Sequence, residues 1–406
     1  MVPVPFAFIG PDHPFFPTVQ ALREAIVRRM EAATDIALVH AELKAVAVPG
    51  GWRLDRAYWS AQQTRLTGRP FGFASETLSW SEKAGRFDWL TFPVDPYLAT
   101  AAAVLERWTS EGAGGRVLRY VPLRRLTLSV DHPRHGSCIA KLKRRSRAAT
   151  AYALIGRVAE AVAASGLPLS VSHPIAFEEE ESLYFQTSLP GEDVADTIGA
   201  ASVESFARLG ALHADLHRLP TDGLPVIGNR AWMDQARLDL GLLGLYRPAS
   251  LTRLSFLGDL LERTRPDDTP PTFCHGDLVC SQTLAGESAW SITDFDLCHA
   301  GDPCRDIAVF LASLSYDVPA FDGEGSAMLD SGEGAASIEA YLESYGRRLA
   351  SPDPLRLSWH RTCASLYYLA LMLKKDRLDE PAFRRLQDEA LRHAQPLAGP
   401  TARLDR

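Results

Sequence analysis

Between residues 116 and 190 the apolar positions change period several times. Val117-Leu118-Arg119-Tyr120 is strand-like, and Leu126-Thr127-Leu128-Ser129-Val130 alternates with period two. The turn sequence at 131–136 (DHPRHG) leads into a further strand over 137–142. An alanine-rich helical run over 148–164 is closed by Ser165-Gly166 and Pro168. Residues 175–177 and 183–186 read as a hairpin around 178–181, and Pro190-Gly191 ends the unit. Strands, one helix and more strands predict a small sheet carrying a single helix. Upstream, Leu22, Ile26 and Met30 give residues 19–33 helical spacing, and 98–109 reads as another helix. Between them lies an aromatic stretch with Tyr58, Trp59, Trp80, Phe87, Trp89 and Phe92. The pattern predicts a mainly helical N-terminal cap over 1–112, broken by Glu111-Gly112-Ala113-Gly114-Gly115. Beyond residue 191 helices are expected at 203–216 after a Ser202 cap, and at 232–243, 251–263, 307–315, 336–349, 355–374 and 382–393. The expected class is α+β, in three parts: 1–112, 113–190 and 191–406.

Composition narrows this little. The 406 residues are 46% hydrophobic and 23% charged, as in ordinary globular enzymes. A net charge of −7 argues against nucleic acid as a partner. No apolar run reaches the ~18 residues of a membrane helix. The proline-broken start, MVPVPFAFIGPDHPFFP, lacks the charged region of a secretory signal, so a cytoplasmic location is expected. Cys274 to Cys280 and Cys298 to Cys304 repeat the pattern Cys-His, four residues, Cys. Five residues between paired thiols is too long for common structural zinc sites, so these are expected as small buried thiols. From Asp306 to Gly346, Asp306 included, stand eight acidic residues and no Lys or Arg. That tract reads either as a solvated face or as an acidic wall beside an acceptor pocket.

The chemistry concentrates in residues 273–314. Cys274-His275-Gly276-Asp277-Leu278 is followed by Gln282, then Thr293-Asp294-Phe295-Asp296, then Gly301-Asp302-Pro303 and Asp306. Carboxylates beside short apolar strands, with a side-chain amide between them, are the parts phosphoryl transfer needs. One aspartate orients the attacking hydroxyl; an amide oxygen and a second aspartate hold magnesium on the phosphates.

This succession of motifs, HGDxxxxQ, TDFD and GDPxxDxAxFL, resembles the aminoglycoside phosphotransferase and choline kinase branch of the protein-kinase-like superfamily. The resemblance covers about residues 116–375. Gln282 replaces the usual Asn, as in maltokinase-like members. The resemblance implies a bilobal protein-kinase-like fold, with ATP as donor, Mg2+ as cofactor and a small-molecule hydroxyl as acceptor. It places Asp277 at the acceptor hydroxyl and Gln282 and Asp294 on the metal, and it gives His275 a structural role over that of a base. Asp296 is left between a second metal and the acceptor. Asp306 is expected to cap its own helix.

In the same frame Lys141 matches the strand lysine that neutralises phosphates, with Lys143 on the same face as rival. Glu160 is the only carboxylate between Lys141 and Glu178 and so the candidate partner. Gln186-Thr187-Ser188 fits the hinge that reads adenine. The segment 119–125 stands where a phosphate loop belongs but is not glycine-rich, so Arg124 or Arg125 would supply charge there. A sugar, amino sugar or aminoglycoside-like acceptor fits this reading. The competing one is a nucleotide-binding pseudokinase or regulatory module without turnover.

Overall fold

The computed structural model describes residues 5–31, 36–63, 71, 73–194, 203–286, 289–316 and 332–399. Two compact units emerge. One comprises Met1–Ala153, His173–Ser188 and Leu373–Arg377; the other comprises Leu154–Ser172, Leu189–Met372 and Leu378–Arg406.

The first unit begins with α1 (Phe16–Glu31), whose Val19, Leu22 and Ile26 are buried at helical spacing. The region that follows corrects the expectation of a mainly helical cap. It forms a four-stranded antiparallel sheet, β1 (Ile36–Val48), β2 (Gly51–Gln63), β3 (Ser75–Ser81) and β4 (Arg86–Thr91), in that order. The alanines, glutamate and lysine of β1 favour a helix in isolation, but cross-strand pairing decides strand stability. β1 and β2 pair from Ile36↔Gln63 to Val48↔Gly51, and the Pro49-Gly50 turn joins them. Gly50 sits at φ +86°, which only glycine adopts without strain.

Helix α2 (Ala101–Ser110) follows and packs on a second antiparallel sheet. That sheet contains β5 (Gly114–Val121), β6 (Arg125–His132) and β7 (Gly136–Lys143). Helix α3 (Arg145–Ser165) and the short β8 (Ser170–Val171) come next. β9 (Pro174–Glu178) and β10 (Leu183–Thr187) then complete the second sheet in the order β5-β6-β7-β10-β9. The strands, helix and hairpin expected from the apolar period are all present. Alternation splits β7 cleanly: Cys138, Ala140 and Leu142 enter the core beneath α2, so Ile139, Lys141 and Lys143 point to the other face.

The second unit contains two small sheets and a set of helices. β11 (Glu192–Asp193), β14 (Thr283–Ala285), β15 (Trp290–Ile292) and β8 form one sheet, in that order. β12 (Val226–Ile227), β16 (His299–Gly301) and β13 (Thr272–Cys274) form the other. The helices are α4 (Val203–Leu216), α5 (Asn229–Tyr246), α6 (Pro248–Leu254), α7 (Leu257–Arg263), α8 (Pro303–Ser313), α9 (Gly332–Arg348), α10 (Pro354–Lys374) and α11 (Glu380–Ala398). The single helix expected over 251–263 is interrupted after Leu254, and the Ser202 cap lies outside the described residues. All six cysteines are free and buried, as the sequence suggested. No helix among the described residues is long and apolar enough to cross a membrane.

Trp108 of α2 is fully buried, with ring centroids 5.6 Å from Phe185 and 6.2 Å from Phe71. Trp108→Ala should lower stability by about 3–5 kcal/mol, the usual cost of deleting a buried aromatic. Urea unfolding measures this; a loss below about 1 kcal/mol would place α2 outside the core.

Candidate active site

In the second unit β13 delivers the chain into residues 275–282, and a buried carboxylate fixes the start of that loop. Asp306 Oδ2 accepts the His275 amide at 2.5 Å and Oδ1 accepts the Gly276 amide at 3.0 Å. Asp306 was expected to cap its own helix; it spans instead to the loop, and the capping carboxylate of α8 is Asp302, which accepts from the Cys304 amide at 3.0 Å. Gly276 has φ +87°, and a Cβ there would stand 2.2 Å from the Leu297 carbonyl oxygen, so no other residue fits. His275 is tied at both ring nitrogens. Nδ1 accepts from the Asp277 amide at 3.3 Å, so Nε2 carries the proton and donates to the Thr293 carbonyl at 2.9 Å. The imidazole is therefore a brace, as expected, and both its nitrogens are occupied.

The same bracing brings the other candidates together. The Thr293 amide donates to the Gln282 carbonyl at 2.9 Å, and Thr283 pairs with Ile292. Gln282 ends a short 3-10 turn (Cys280–Gln282), and its side chain is buried. Asp294, one residue past Thr293, takes a left-handed conformation at φ +67°, ψ +51°. Asp277, Asp294 and Asp296 are all half-buried. Gln282 and Asp294 lie on adjoining chain segments, and an amide and a carboxylate oxygen are the hard donor types that magnesium takes. Among the described residues no group of three or more His, Cys, Asp and Glu forms a metal cage.

Behind the loop, His217 Nε2 lies 3.4 Å from Asp306 Oδ2, and its Nδ1 lies 2.8 Å from the Tyr345 hydroxyl. Burial would raise the Asp306 carboxyl, but His217, Arg305 and His275 outweigh it and hold it below the usual carboxylate range. Asp302 is also depressed: burial opposes, while His360 at 3.2 Å and Arg356 at 2.5 Å prevail. Arg305 went unnoticed in the sequence. Its guanidinium lies 3.1 Å from the Trp232 ring centroid, and its Nε meets no acceptor among the described residues. Burial lowers its pKa, while Asp306, Cys274, Tyr367 and Asp277 act the other way. Tyr367 is pushed up to about 12, by burial first and then by Asp277 and Asp239. Arg305 and Tyr367 therefore belong to the electrostatic surroundings of Asp277, and Trp232 holds the Arg305 guanidinium. No local motif marks them, because they come from three separate helices.

In the first unit Lys141 and Lys143 are buried on one face of β7. Tyr184 is the β10 neighbour of Lys141, and Lys143 lies 5.9 Å from its ring centroid. Tyr152 of α3 packs on Tyr184 at 6.2 Å. Glu160 lies eight residues further along α3, about 80° around and roughly 12 Å along the axis. It is exposed, and in the second unit it lines a cavity of about 270 Å³ with Arg157, Pro220 and Asp222. Gln186 is buried and Ser188 exposed, while the Thr187 amide is committed to the His173 carbonyl at 2.9 Å. Of this trio, Thr187 thus has no amide to offer a base.

The turn between β5 and β6 is pinned. Asp95 Oδ2 accepts the Leu123 amide at 2.7 Å and the Tyr120 hydroxyl at 2.9 Å. Arg144 donates to the Leu123 carbonyl at 2.9 and 2.6 Å, and its guanidinium lies 4.1 Å from the Tyr97 ring centroid. Leu123 takes φ +61°, which these bonds hold in place, and Arg124 beyond it is exposed.

Asp306→Asn should cost about 3–5 kcal/mol at neutral pH, because it breaks a buried charged hydrogen-bonded pair. The carboxyl is depressed in the folded chain, so its contribution is present above the unfolded value near 4 and is lost as pH falls below it. Unfolding midpoints from pH 7 to 3 should show wild type and variant converging on the acid side. A gap independent of pH would contradict the assignment.

Comparison with known proteins bears on the fold and the family. A thermostable aminoglycoside phosphotransferase, APH(4)-Ia, solved with ADP and hygromycin B, superposes with a TM-score of 0.51 at 12% identity, covering 74% of this chain and 99% of that one. A macrolide 2'-phosphotransferase from Brachybacterium faecium gives 0.45 at 19% identity, covering 74% and 99%. A choline/ethanolamine kinase family protein from Mesorhizobium loti gives 0.46 at 16%, covering 74% and 92%. No curated protein matches the chain. The superposition on APH(4)-Ia bears out the α+β kinase-like fold expected from the sequence. Residues 125–360, more than half of the chain, match the phosphotransferase enzyme family, and the chain belongs to that family.

Proposed function

We propose that this phosphotransferase moves the γ-phosphate of ATP to a hydroxyl of a small polyhydroxylated molecule, a sugar, amino sugar or aminoglycoside-like compound, in the cytoplasm. The observation that carries the reading is the clamped loop, which holds Asp277 while Gln282 and Asp294 stand on the neighbouring strand ends. Asp277 accepts the hydrogen bond of the acceptor hydroxyl and aims its oxygen at the phosphorus. Gln282 and Asp294 would hold Mg2+, which when bound supplies positive charge to the phosphate oxygens. Lys141 supplies a second charge to the phosphates; Glu160, facing the cavity beside Asp222, keeps no part in this reading. Gln186 and Ser188 flank the adenine. Trp232 and Tyr367 offer flat faces suited to a sugar ring, and free thiols fit a reducing compartment.

The competing reading, a nucleotide-binding module without turnover, draws on the pinned turn at Leu123, whose amide is already spent on Asp95. Labelled ATP with a panel of hydroxyl compounds separates the two: transfer to any acceptor supports the enzyme, and tight nucleotide binding with no transfer across sugars, amino sugars and aminoglycosides supports the module.

Asp277→Asn should leave nucleotide affinity nearly unchanged and lower turnover by roughly a hundredfold or more, the scale of a lost acid–base group. Near-full turnover in that variant would remove Asp277 from the mechanism. Asp294→Ala should raise the magnesium requirement more than Gln282→Ala does, because a carboxylate brings charge that an amide lacks. Magnesium titrations of turnover check this, and equal or reversed effects would contradict the ligand assignment.

A further inference from the structure

The first unit holds a cavity of about 570 Å³ that shares no residue with the proposed centre. Helix α2, the start of β3 and the end of β4 build it. Ala102, Leu105, Glu106 and Thr109 recur at i, i+3, i+4 and i+7, so one stripe of α2 lines the cavity. Phe73 and Phe92 form its floor and meet edge to face at 4.9 Å. The Phe92 amide donates to the Ser75 carbonyl at 2.9 Å, which ties the chain past β4 to the start of β3. Both rings also pack on Tyr120, at 6.0 and 5.0 Å, so the floor is continuous with the core beneath α2.

Thr91, Glu106, Thr109 and Ser110 are exposed and form the rim, whose chemistry is one-sided. The Thr109 hydroxyl donates to the Leu105 carbonyl at 2.8 Å, and the Ser110 hydroxyl donates to the Arg107 carbonyl at 2.7 Å. A hydroxyl has one proton, so both oxygens can meet a ligand only as acceptors. Among the described residues Glu106 is the only charged side chain lining the cavity, and no ion pair engages it. The adjacent Arg107 is committed to Glu178 and Glu181, at 2.7 and 2.8 Å. Small-molecule sites have this form: roughly 300–1,000 Å³, apolar walls, and a few polar groups that fix orientation. A neutral or anionic occupant would leave the carboxylate without a counterpart. An ammonium group matches the carboxylate and the two hydroxyl oxygens, and an aromatic body matches the floor.

We propose that this cavity binds a small aromatic amine, with its ring on Phe73 and Phe92 and its ammonium group at Glu106. Isothermal titration calorimetry of the full-length protein tests this, with 1-naphthylmethylamine as the probe. The analogue 1-naphthylmethanol keeps the ring and lacks the charge. Saturable binding of the amine is expected, roughly tenfold or more tighter than that of the alcohol, as a hydrogen bond to a charged group provides. Glu106→Gln should weaken the amine by roughly tenfold and leave the alcohol unchanged, which removes the preference. Ala102→Trp should fill the cavity and block both compounds. Residues 102 and 106 are exposed on α2, so neither change disturbs the core. Asp277→Asn should leave the affinity for the amine unchanged. A loss in that variant would assign the amine to the acceptor site and overturn the proposal. Equal affinity for amine and alcohol, or full amine affinity in Glu106→Gln or Ala102→Trp, would overturn it as well.

Discussion

Everything at the proposed centre hangs from one carboxylate that solvent does not reach. Asp306 has no exposed surface, and it spends both oxygens on successive backbone amides, those of His275 and Gly276. Backbone amides cannot rotate away as side chains do, so this fixes the path of the chain into Asp277. The glycine is part of the same constraint, because the clamped path runs against the Leu297 carbonyl. A buried charge needs compensation, and His217, braced by Tyr345, provides it. The α4–α9 contact that carries this brace is close: a Cβ on Gly210 would fall 2.1 Å from the Tyr341 carbonyl oxygen. Helix packing far from the loop in sequence is thus converted into the placement of the loop that carries Asp277.

The legible part of this design is the contiguous part. Asp277, Gln282 and Asp294 could be read because local strand and turn signals place them within 18 positions of chain. The second sheet was legible because its apolar period switches cleanly from two to helical and back. The N-terminal sheet was not, since β1 is rich in helix-favouring residues and becomes a strand only through partners up to 27 positions away. Its one local mark was Pro49-Gly50-Gly51. His217, Trp232 and Asp95 were invisible for the same reason: each acts on a residue that the fold, and no motif, brings near.

Asp95 shows what the N-terminal region contributes. A glycine-rich phosphate loop buys flexibility and free amides. The turn at Leu123 is built otherwise, because Asp95 takes the Leu123 amide and Arg144 takes the Leu123 carbonyl. Asp95 is itself held by its bond to the Tyr97 amide at 2.8 Å, and Tyr97 carries Arg144 on its ring. The turn is therefore held at both backbone groups of Leu123, and its positive charge resides in side chains such as the exposed Arg124. Preorganisation of this kind trades adaptability for a lower ordering cost on binding.

Electrostatics also links Asp277 to the helix that carries the clamp. Arg305 stays protonated under any ordinary condition, and stacking on Trp232 fixes its position. It leads directly into Asp306 in the chain, so the clamp that positions Asp277 also positions this cation. Arg305 and Asp277 act on each other electrostatically, and Arg305 also acts on Tyr367.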